Sequence, residues 1–542
     1  MRDAYSVSQV RAAESRLFAL VPDGALMQRA ATGLAATCAD LLVAAAGGIY
    51  GSRVVVLAGT GDNGGDALYA GARLARRGAA VTAVQAGTRL HAEGARALVA
   101  AGGRVIPVVA PRDPDATRAD FGHDQDDRDA ERYDVGWEAR SAIGRADLIV
   151  DGLLGIGGSG GLREPYATLA QLAENTSRAL IVAVDLPSGV DADSGAVPGP
   201  AVRADVTVTF GAVKPGLLID PGAGHAGVVE FVDIGLGPHL EGVPAASAPQ
   251  AQDIAGLLPR PSAESDKYRR GVVGLLVGSD RYSGAALLAT GGAVRGGAGM
   301  VRLVTFPGAA AAVRAIHPEV IITELERGTG NRSGSAGLDL QGEEAQFPEG
   351  VGRVQAWTVG SGMGTDDAAA RRLAAVLATS LPVLIDADAL TLVAKHKELL
   401  PRSAPTLLTP HAGELGRLLD ADPADIEAQR LKHAQRAAAK LGACVLLKGS
   451  TTVVAPPDGL DPVLVNTTGT PWLATAGTGD VLAGLAGALL AQGLLPPQAA
   501  IAAAYLHGLA ARLAARGASP AGEAPIGASD VVTALSAAFQ AL

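Results

Sequence analysis

Residues 54–66 read VVVLAGTGDNGGD, a short apolar run that leads into a glycine-rich loop. The β-branched run Val54–Leu57 is typical of a buried strand, and a helical pattern that ends at Gly78 follows the loop. A strand, a glycine loop and a helix in this order indicate one unit of an open, mainly parallel α/β sheet. Residues Gly59–Gly64 also satisfy G-x-G-x-x-G, the fingerprint of dinucleotide binding.

This loop departs from a hydride-transfer dinucleotide site in two respects. Such a site needs an acid at the end of the second strand for the ribose hydroxyls, but here Val81–Val84 is followed by Gln85 and Ala86. The carboxylates of Asp62 and Asp66 would also lie unfavourably against a pyrophosphate. We therefore reject an ordinary NAD-dependent dehydrogenase site.

Strand patterns alternate with helical patterns along most of the 542 residues, which are too many for one ordinary core. They fall into two series separated by Gly237–Ser265, a stretch rich in Pro, Ala and Ser. We predict an α/β protein of two three-layer αβα domains, residues 1–240 and 263–542, with a linker at 241–262. The predicted strands are Val54–Leu57, Val81–Val84, Leu148–Val150, Leu180–Val184, Val206–Phe210, Val272–Val277, Val301–Thr305, Trp357–Val359, Val383–Ile385, Thr406–Leu408 and Val445–Leu447.

The composition is 48% hydrophobic and 18% charged, which indicates a soluble globular protein. The formal net charge of −10 argues against nucleic-acid binding. Cys38 and Cys444 have no partner at metal or redox spacing, and Met1–Leu20 contains no secretory apolar region. The most apolar stretch, Val481–Leu495, is interrupted by glycines and a glutamine. We expect a cytoplasmic protein that does not associate with membranes.

Residues 112–140 carry ten acidic and five basic side chains and little aliphatic content. A solvated excursion between two strands explains this composition more simply than an acidic docking loop does. The role of the segment stays open at this point.

Polar residues follow two further predicted strands. Asp151 comes after Leu148–Val150, and Asp185 comes after Leu180–Val184 and precedes Ser188. Ligands bind at the carboxyl ends of strands in open α/β sheets. A single acid there is explained equally well as a helix N-cap. Two acids with Asn63, Ser188 and glycine-rich turns instead predict a polar binding site.

Four motifs in the first half resemble the NAD(P)H-hydrate epimerase family over roughly residues 1–240. They are Asp62–Asp66, Asp151–Gly155, Val184–Gly189 and Phe210–Gly216. The resemblance implies a Rossmann-like domain with Asp185 as the catalytic acid/base. It implies that a potassium ion is bound by Asn63, Asp151 and Ser188, whose hard oxygens suit it. Asp62 is a departure, because the family usually has asparagine there. The implied substrate-binding residues are Asp62, Asn63, Gly64, Gly65, Asp66, Gly155, Ile156, Gly157, Gly158, Ser159, Gly160 and Gly161.

The second half contains no G-x-x-x-x-G-K-[ST], so a P-loop is excluded. A different anion-binding pattern occurs at Ala474–Asp480, where small residues lead into an apolar helix. Asp480 is placed there to take a proton from a substrate hydroxyl. Taken alone, the pattern is explained at least as well by Asp480 as a helix N-cap.

Further motifs, in order, resemble the ADP-dependent NAD(P)H-hydrate dehydratase family, which is ribokinase-like, over roughly residues 250–542. They are Asp266–Gly271, Gly278–Ser279, Tyr282–Ala285, Gly296–Val301, Gly360–Gly364, Asp386–Leu390, Thr409–Glu414, Lys448–Thr452 and Gly477–Asp480. The resemblance implies that Asp480 is the catalytic base and that Mg²⁺ accompanies the ADP. The implied ligand contacts are Gly299, Gly362, His411, Gly413, Glu414 and Asp480 for the substrate, and Lys448, Gly449, Ser450, Thr451, Thr452 and Gly479 for the nucleotide.

Together the resemblances imply an enzyme that epimerises hydrated NADH and NADPH (NADHX and NADPHX), and we expect it to be a homo-oligomer. It then dehydrates the S form while ADP is converted to AMP and phosphate. One alternative is a ribokinase-like vitamin kinase, and a second is an N-terminal domain that binds without catalysing. His411 also has a simpler explanation, packing in a loop after a proline. The retained site residues argue against both functional alternatives.

Overall fold

A computed structural model of the chain describes residues 1–108, 135–158, 160–325, 349–459, 461–517 and 522–542. The chain divides into two compact units, one formed by residues 3–245 and the other by residues 1–2 with 246–542. A short strand, β1 (Arg2–Ala4), opens the chain.

The described strands of the first unit form a parallel sheet in the order β4-β3-β2-β5-β6-β7-β8. The order reverses between β2 and β5, as in doubly wound dinucleotide-binding folds, and such reversal points are where ligands bind. The strands are β2 (Arg53–Ala58), β3 (Ala80–Gln85), β4 (Arg104–Pro107), β5 (Leu148–Gly152), β6 (Leu180–Val184), β7 (Val206–Phe210) and β8 (Val228–Val232).

Helices cover both faces of this sheet, because successive side chains of a strand point to opposite sides. Val54 and Val56 join the core on one face, and Val55 and Leu57 join the core on the other. The helices are α1 (Val7–Phe18), α2 (Ala25–Ala46), α3 (Asp62–Arg76), α4 (Ala92–Ala100), α5 (Trp137–Gly144), α6 (Tyr166–Glu174) and α7 (Ala223–Ala226).

Helix α2 is long and apolar enough to cross a membrane by length and composition alone. Its Leu26, Leu34, Cys38 and Leu42 are buried in the core of this unit. One face of α2 therefore packs against the core of this unit. The most apolar stretch of the sequence, Val481–Leu495, contains most of the helix Thr478–Ala491, which is too short to span a bilayer.

The second unit contains a larger sheet in the order β9-β18-β17-β16-β15-β14-β13-β10-β11-β12. Its pairs are parallel except where β17 meets β16 and β18. The strands are β9 (Ala246–Ala248), β10 (Val272–Leu276), β11 (Met300–Thr305), β12 (Ile321–Glu324), β13 (Ala356–Val359), β14 (Val383–Ile385), β15 (Thr406–Leu408), β16 (Cys444–Leu447), β17 (Thr452–Ala455) and β18 (Val463–Asn466).

Two hydrophobic cores, one on each face, hold helices against this sheet. The helices are α8 (Ala251–Leu257), α9 (Ser283–Arg295), α10 (Pro307–Ile316), α11 (Asp367–Leu377), α12 (Ala387–Lys395), α13 (Ala412–Leu419), α14 (Pro423–Ala428), α15 (Arg430–Leu441), α16 (Thr478–Ala491), α17 (Pro496–Arg516) and α18 (Ala528–Gln540). The predicted class, two three-layer α/β domains, is confirmed.

The predicted linker needs adjustment, and the prediction for the acidic segment stays a prediction. The segment 241–262 was expected to be a linker, but it carries β9 and α8, and α8 buries Ile254 in the core of the second unit. Its Ala- and Pro-rich composition hid these short elements. Most of the acidic segment 112–140 lies outside the described residues; its last part begins helix α5.

Candidate active sites

The first site is a cavity of about 920 Å³ at the carboxyl ends of β2, β5 and β6. Asp62, Asn63, Asp66 and Asp185 line it, as does Gly155–Gly158. Gly160 and Gly161 are not among the lining residues, and Ser159 lies outside the described part of the chain. The reversal of strand order therefore brings most of the predicted epimerase residues into one cavity.

Asn63, Asp151 and Ser188 are joined through the loop that follows β5. The Asn63 amide nitrogen donates to the carbonyl oxygens of Val184 at 2.6 Å and Leu154 at 3.3 Å. The Leu154 amide donates to Ser188 Oγ at 2.9 Å. Ser188 in turn donates from its backbone and its hydroxyl to the Asp151 carboxylate, at 2.9 and 2.7 Å. Three residues from three separate strand ends thus form one polar cluster.

Asp151 is fully buried, and burial raises its pKa to about 6, against the opposing effect of the hydrogen bonds from Ser188. A buried carboxylate is stabilised by a cation, and Ser188 places a neutral hydroxyl oxygen beside it. The donor set therefore fits a singly charged, oxygen-preferring ion. Among the described residues, no cluster of three His, Cys, Asp or Glu side chains offers a transition-metal site.

Two glycines let the loops of this site approach each other. A Cβ on Gly155 would lie 2.3 Å from Asn63 Oδ1, and a Cβ on Gly64 would lie 2.4 Å from the Gly59 carbonyl oxygen. Gly65 packs instead against the side chains of His91 and Met27. Gly64 and Gly65 therefore shape the start of α3 rather than line the cavity.

Asp185 combines an unusual backbone conformation with a buried ion pair. Its φ is 65°, in the left-handed region of backbone conformation that residues other than glycine adopt infrequently. Its Oδ1 accepts from the Phe210 amide at 3.1 Å, the Thr209 hydroxyl at 3.2 Å and the Lys214 ammonium. The side chains of Lys214 and Asp185 are only 1% and 8% exposed.

Sequence reasoning assigned no role to Lys214, although it lies within the motif Phe210–Gly216. Its ammonium also donates to Thr209 Oγ1 at 3.1 Å and the Phe210 carbonyl at 3.2 Å. A lysine is almost never this buried unless it is paired. The sequence could have indicated a buried role for this lysine, because apolar residues lie on both sides of it. Only the fold identifies Asp185 as its partner.

The second site lies at the carboxyl ends of β13–β16, where α16 begins. Gly477 takes φ 90° just before the helix, and Asp480 follows in its first turn. A Cβ on Gly479 would lie 3.7 Å from Lys448 Nζ, so the lysine faces the helix amino terminus. Lys448 donates to Asp386 Oδ1 at 2.7 Å and lies 3.6 Å from Glu414 Oε2.

Burial and neighbouring charges together set the pKa values of Asp480 and Lys448. Burial raises the pKa of Asp480 to about 6; a hydrogen bond from Ser361 and the charge of Lys448 oppose the rise, and Asp386 adds to it. Burial favours neutral Lys448, but Asp386 and Glu414 outweigh it and raise the pKa of the ammonium. Asp480 is therefore a carboxylate near neutral pH with a proton affinity suited to a base.

The remaining predicted residues divide into two groups. Gly362 (φ 65°) follows β13 at the same sheet edge, and His411 and Glu414 form a capping box at the start of α13. His411 Nδ1 accepts a hydrogen bond from the Gly413 backbone N–H at 3.0 Å, and the His411 side chain is 55% exposed. Gly299 is not brought together with these residues, because it precedes β11 at the opposite edge.

Close packing explains the glycine at position 299. A Cβ there would lie 2.1 Å from the Lys267 carbonyl oxygen. The family resemblance implied a ligand contact at Gly299, and the close backbone approach of Lys267 also requires a glycine there.

Residues 448–451 form the turn between β16 and β17, and Thr451 and the first residue of β17, Thr452, are buried. Arg430 from α15 supports this turn by donating to the Lys448 carbonyl at 3.2 Å. Burial lowers the pKa of His507 to about 4, and the backbone of Thr478 acts in the opposite direction. Neither supporting residue was found from the sequence, because each lies on a distant helix.

Each unit thus has its own candidate acid–base site at the carboxyl edge of an α/β sheet, and this arrangement is that of an enzyme with two active sites. The family described as YjeF-related protein N-terminus matches residues 23–216, and the NAD(P)H-hydrate dehydratase family matches residues 273–533. The chain belongs to the family of bifunctional NAD(P)H-hydrate repair enzymes. Both resemblances drawn from the motifs are confirmed.

Similar proteins cover the chain almost completely. The bifunctional NAD(P)H-hydrate repair enzyme of Mycobacterium tuberculosis (strain CDC 1551 / Oshkosh) is 44% identical, over 92% of this chain and 91% of its own. That of Mycobacterium leprae (strain TN) is 42% identical over the full length of both. An ADP/ATP-dependent NAD(P)H-hydrate dehydratase from Bacillus subtilis, crystallised with ATP and Mg²⁺, is 29% identical over 54% of this chain and 97% of its own, with a TM-score of 0.45.

Proposed function

We propose that the chain repairs hydrated NADH and NADPH in two steps, with epimerisation in the first unit and ADP-dependent dehydration of the S form in the second. The observation that carries the proposal is the buried pair of Asp185 and Lys214 in the first cavity. A domain that only bound its ligand would have no use for a carboxylate held at φ 65° beside a buried ammonium.

In the first unit, the Asp185 carboxylate exchanges protons with the hydrated nicotinamide ring, and Lys214 holds that carboxylate in place. Asn63, Asp151 and Ser188 would hold a potassium ion, which would neutralise the buried Asp151 and fix the loop after β5. The loop residues 155–158, which line the cavity with Asp62, Asn63 and Asp66, bind the nucleotide.

In the second unit, Asp480 takes the proton from the ring hydroxyl while the amino terminus of α16 stabilises the transferred phosphoryl group. Lys448–Thr452 and Gly479 bind the ADP, and a bound Mg²⁺ would neutralise its phosphates. Gly362, His411 and Glu414 contact the hydrated nucleotide. Phosphorylation turns the hydroxyl into a good leaving group, and its elimination yields NAD(P)H, AMP and phosphate.

The test follows absorbance at 340 nm as the protein acts on a mixture of R- and S-NADHX with Mg²⁺ and either ADP or ATP. We expect recovery of all the NADH with ADP for the natural protein, and recovery of the S portion alone, above the slow spontaneous rate, for Asp185→Ala. Equal recovery by both proteins would contradict an epimerase role for the first unit. A stable phosphorylated product without NADH would identify a kinase instead.

A further inference from the structure

Epimerisation at ring carbon 6 requires a proton donor as well as a base. That carbon carries both a hydroxyl and the ring nitrogen. When the carbon–oxygen bond breaks, the nitrogen lone pair forms a double bond to carbon, and the hydroxyl needs one proton to leave as water. Water then adds to the opposite face and gives up one proton, so the reaction is balanced and consumes nothing. Asp185 serves as the base, and the donor is unassigned so far.

Asp66 is a second carboxyl group in the same cavity with an entirely different environment. It lies in the second turn of α3, lines the cavity and is 7% exposed. Its Oδ1 is buried and has no hydrogen-bond partner among the described residues. A buried acceptor without a donor is costly, whereas a protonated carboxyl group can itself donate to a ligand.

Asp185 differs from Asp66 because its Oδ1 receives an ammonium, a hydroxyl and a backbone amide. These donors stabilise the carboxylate form. Two carboxyl groups in one cavity, one supplied with donors and the other with none, are the arrangement in which one acts as base and the other as acid.

We propose that Asp66 is the proton donor of the epimerase, protonating the departing hydroxyl while Asp185 receives the proton of the water that returns. Exchange with solvent then returns a proton to Asp66 and removes one from Asp185. The proposal rests on the function proposed above.

The charges around Asp66 support this assignment. Burial raises the pKa of Asp66 well above its ordinary value, and Asp185, Asp62 and Glu14 raise it further. Burial also raises the pKa of Glu14. The amino terminus of α3 acts in the opposite direction, but Asp66 lies beyond its first turn, where the effect fades. The other charged or titratable side chains that line the cavity are Arg11, Asp23, Tyr69, His91, Glu93 and Lys214.

The test compares Asp66→Asn with the natural protein in the conversion of R- to S-NADHX without ADP, followed by chromatography. Asparagine keeps the shape of the side chain but has no acidic proton. We expect kcat to fall about 10²- to 10⁴-fold while KM stays within about twofold. The decline of the natural enzyme at high pH, where Asp66 loses its proton, should disappear in the variant.

Two controls separate this proposal from the proposed function. Asp40→Asn on the exposed side of α2 makes the same chemical change outside the cavity and should leave the rate unchanged. ADP-dependent dehydration of pure S-NADHX reports that Asp66→Asn is folded. A raised KM with unchanged kcat, or a retained alkaline decline, would overturn the role of Asp66 alone. A natural protein that never exceeds the spontaneous rate would overturn the epimerase function itself.

Discussion

Replacing Asp480 by Asn should abolish dehydration and yet make the second unit more stable at neutral pH. In the folded protein the pKa of Asp480 is about 6, above the ordinary aspartate value of 3.8, because the residue is largely buried. The fold therefore disfavours the carboxylate. A difference of about two pKa units corresponds to at most about 3 kcal/mol, and partial exposure to solvent reduces this to about 1–2 kcal/mol.

The pH dependence has a definite sign. Above about pH 6 the natural protein carries the full cost of the ionised carboxylate, and this cost disappears as the pH falls from 6 towards 4. The stability difference between Asp480→Asn and the natural protein should therefore be largest near pH 7.5 and small near pH 4.5. Activity should follow the carboxylate, with half the maximal kcat/KM near pH 6 and a decline of about tenfold per unit below it.

Two assays measure these effects. Urea unfolding followed by tryptophan fluorescence reports stability, since Trp357 is buried in the second unit. Absorbance at 340 nm with S-NADHX and ADP reports activity, which should fall about 10²- to 10⁴-fold. A variant that is inactive but less stable than the natural protein at pH 7.5 would refute the reasoning, because lost structure would then explain the lost activity.

Three further changes test other contacts. Lys214→Met should stop epimerisation and destabilise the first unit by about 3–5 kcal/mol, because it leaves the buried Asp185 carboxylate without its ion-pair partner. In urea unfolding, the double variant with Asp185→Asn should regain most of that stability. No regain would mean that Lys214 contributes mainly by packing. Gly155→Ala places a methyl group 2.3 Å from Asn63 Oδ1. Rate assays should therefore show loss of epimerisation with dehydration of S-NADHX intact, and thermal unfolding should show loss of any stabilisation by K⁺. Ser361→Ala removes a hydrogen bond that lowers the pKa of Asp480, so the midpoint of the pH–rate profile for dehydration should move above 6; an unchanged or lower midpoint would speak against this contact.

The sequence placed Asn63, Asp151, Asp185 and Asp480 correctly at the edges of the sheets, because each adjoins a strand or helix that local periodicity reveals. Parallel strands bring their carboxyl ends together, so local patterns were enough to assemble the cluster. Edge and antiparallel strands such as β8 and β17 were missed. β8 is largely exposed, and β17 follows its neighbour after a short turn without a helix.

Contacts between distant segments could not be read from the sequence in the same way. Lys214 lies 29 residues after Asp185, and nothing in their separate surroundings states that they pair. Gly299 illustrates the reverse difficulty. A glycine required by backbone packing against Lys267 has the same letter as one required by a ligand, and only the three-dimensional neighbours tell them apart.

The left-handed backbone at Asp185 bears on how this domain changes during evolution. A residue with a Cβ costs about 1–2 kcal/mol in that conformation, and glycine would remove the cost in a single substitution. Selection keeps aspartate there only as long as its carboxylate is needed. In a lineage that gave up the chemistry, position 185 should drift to glycine early, before the cavity around it is lost. That one position would then serve as a marker of whether a descendant domain is still an enzyme.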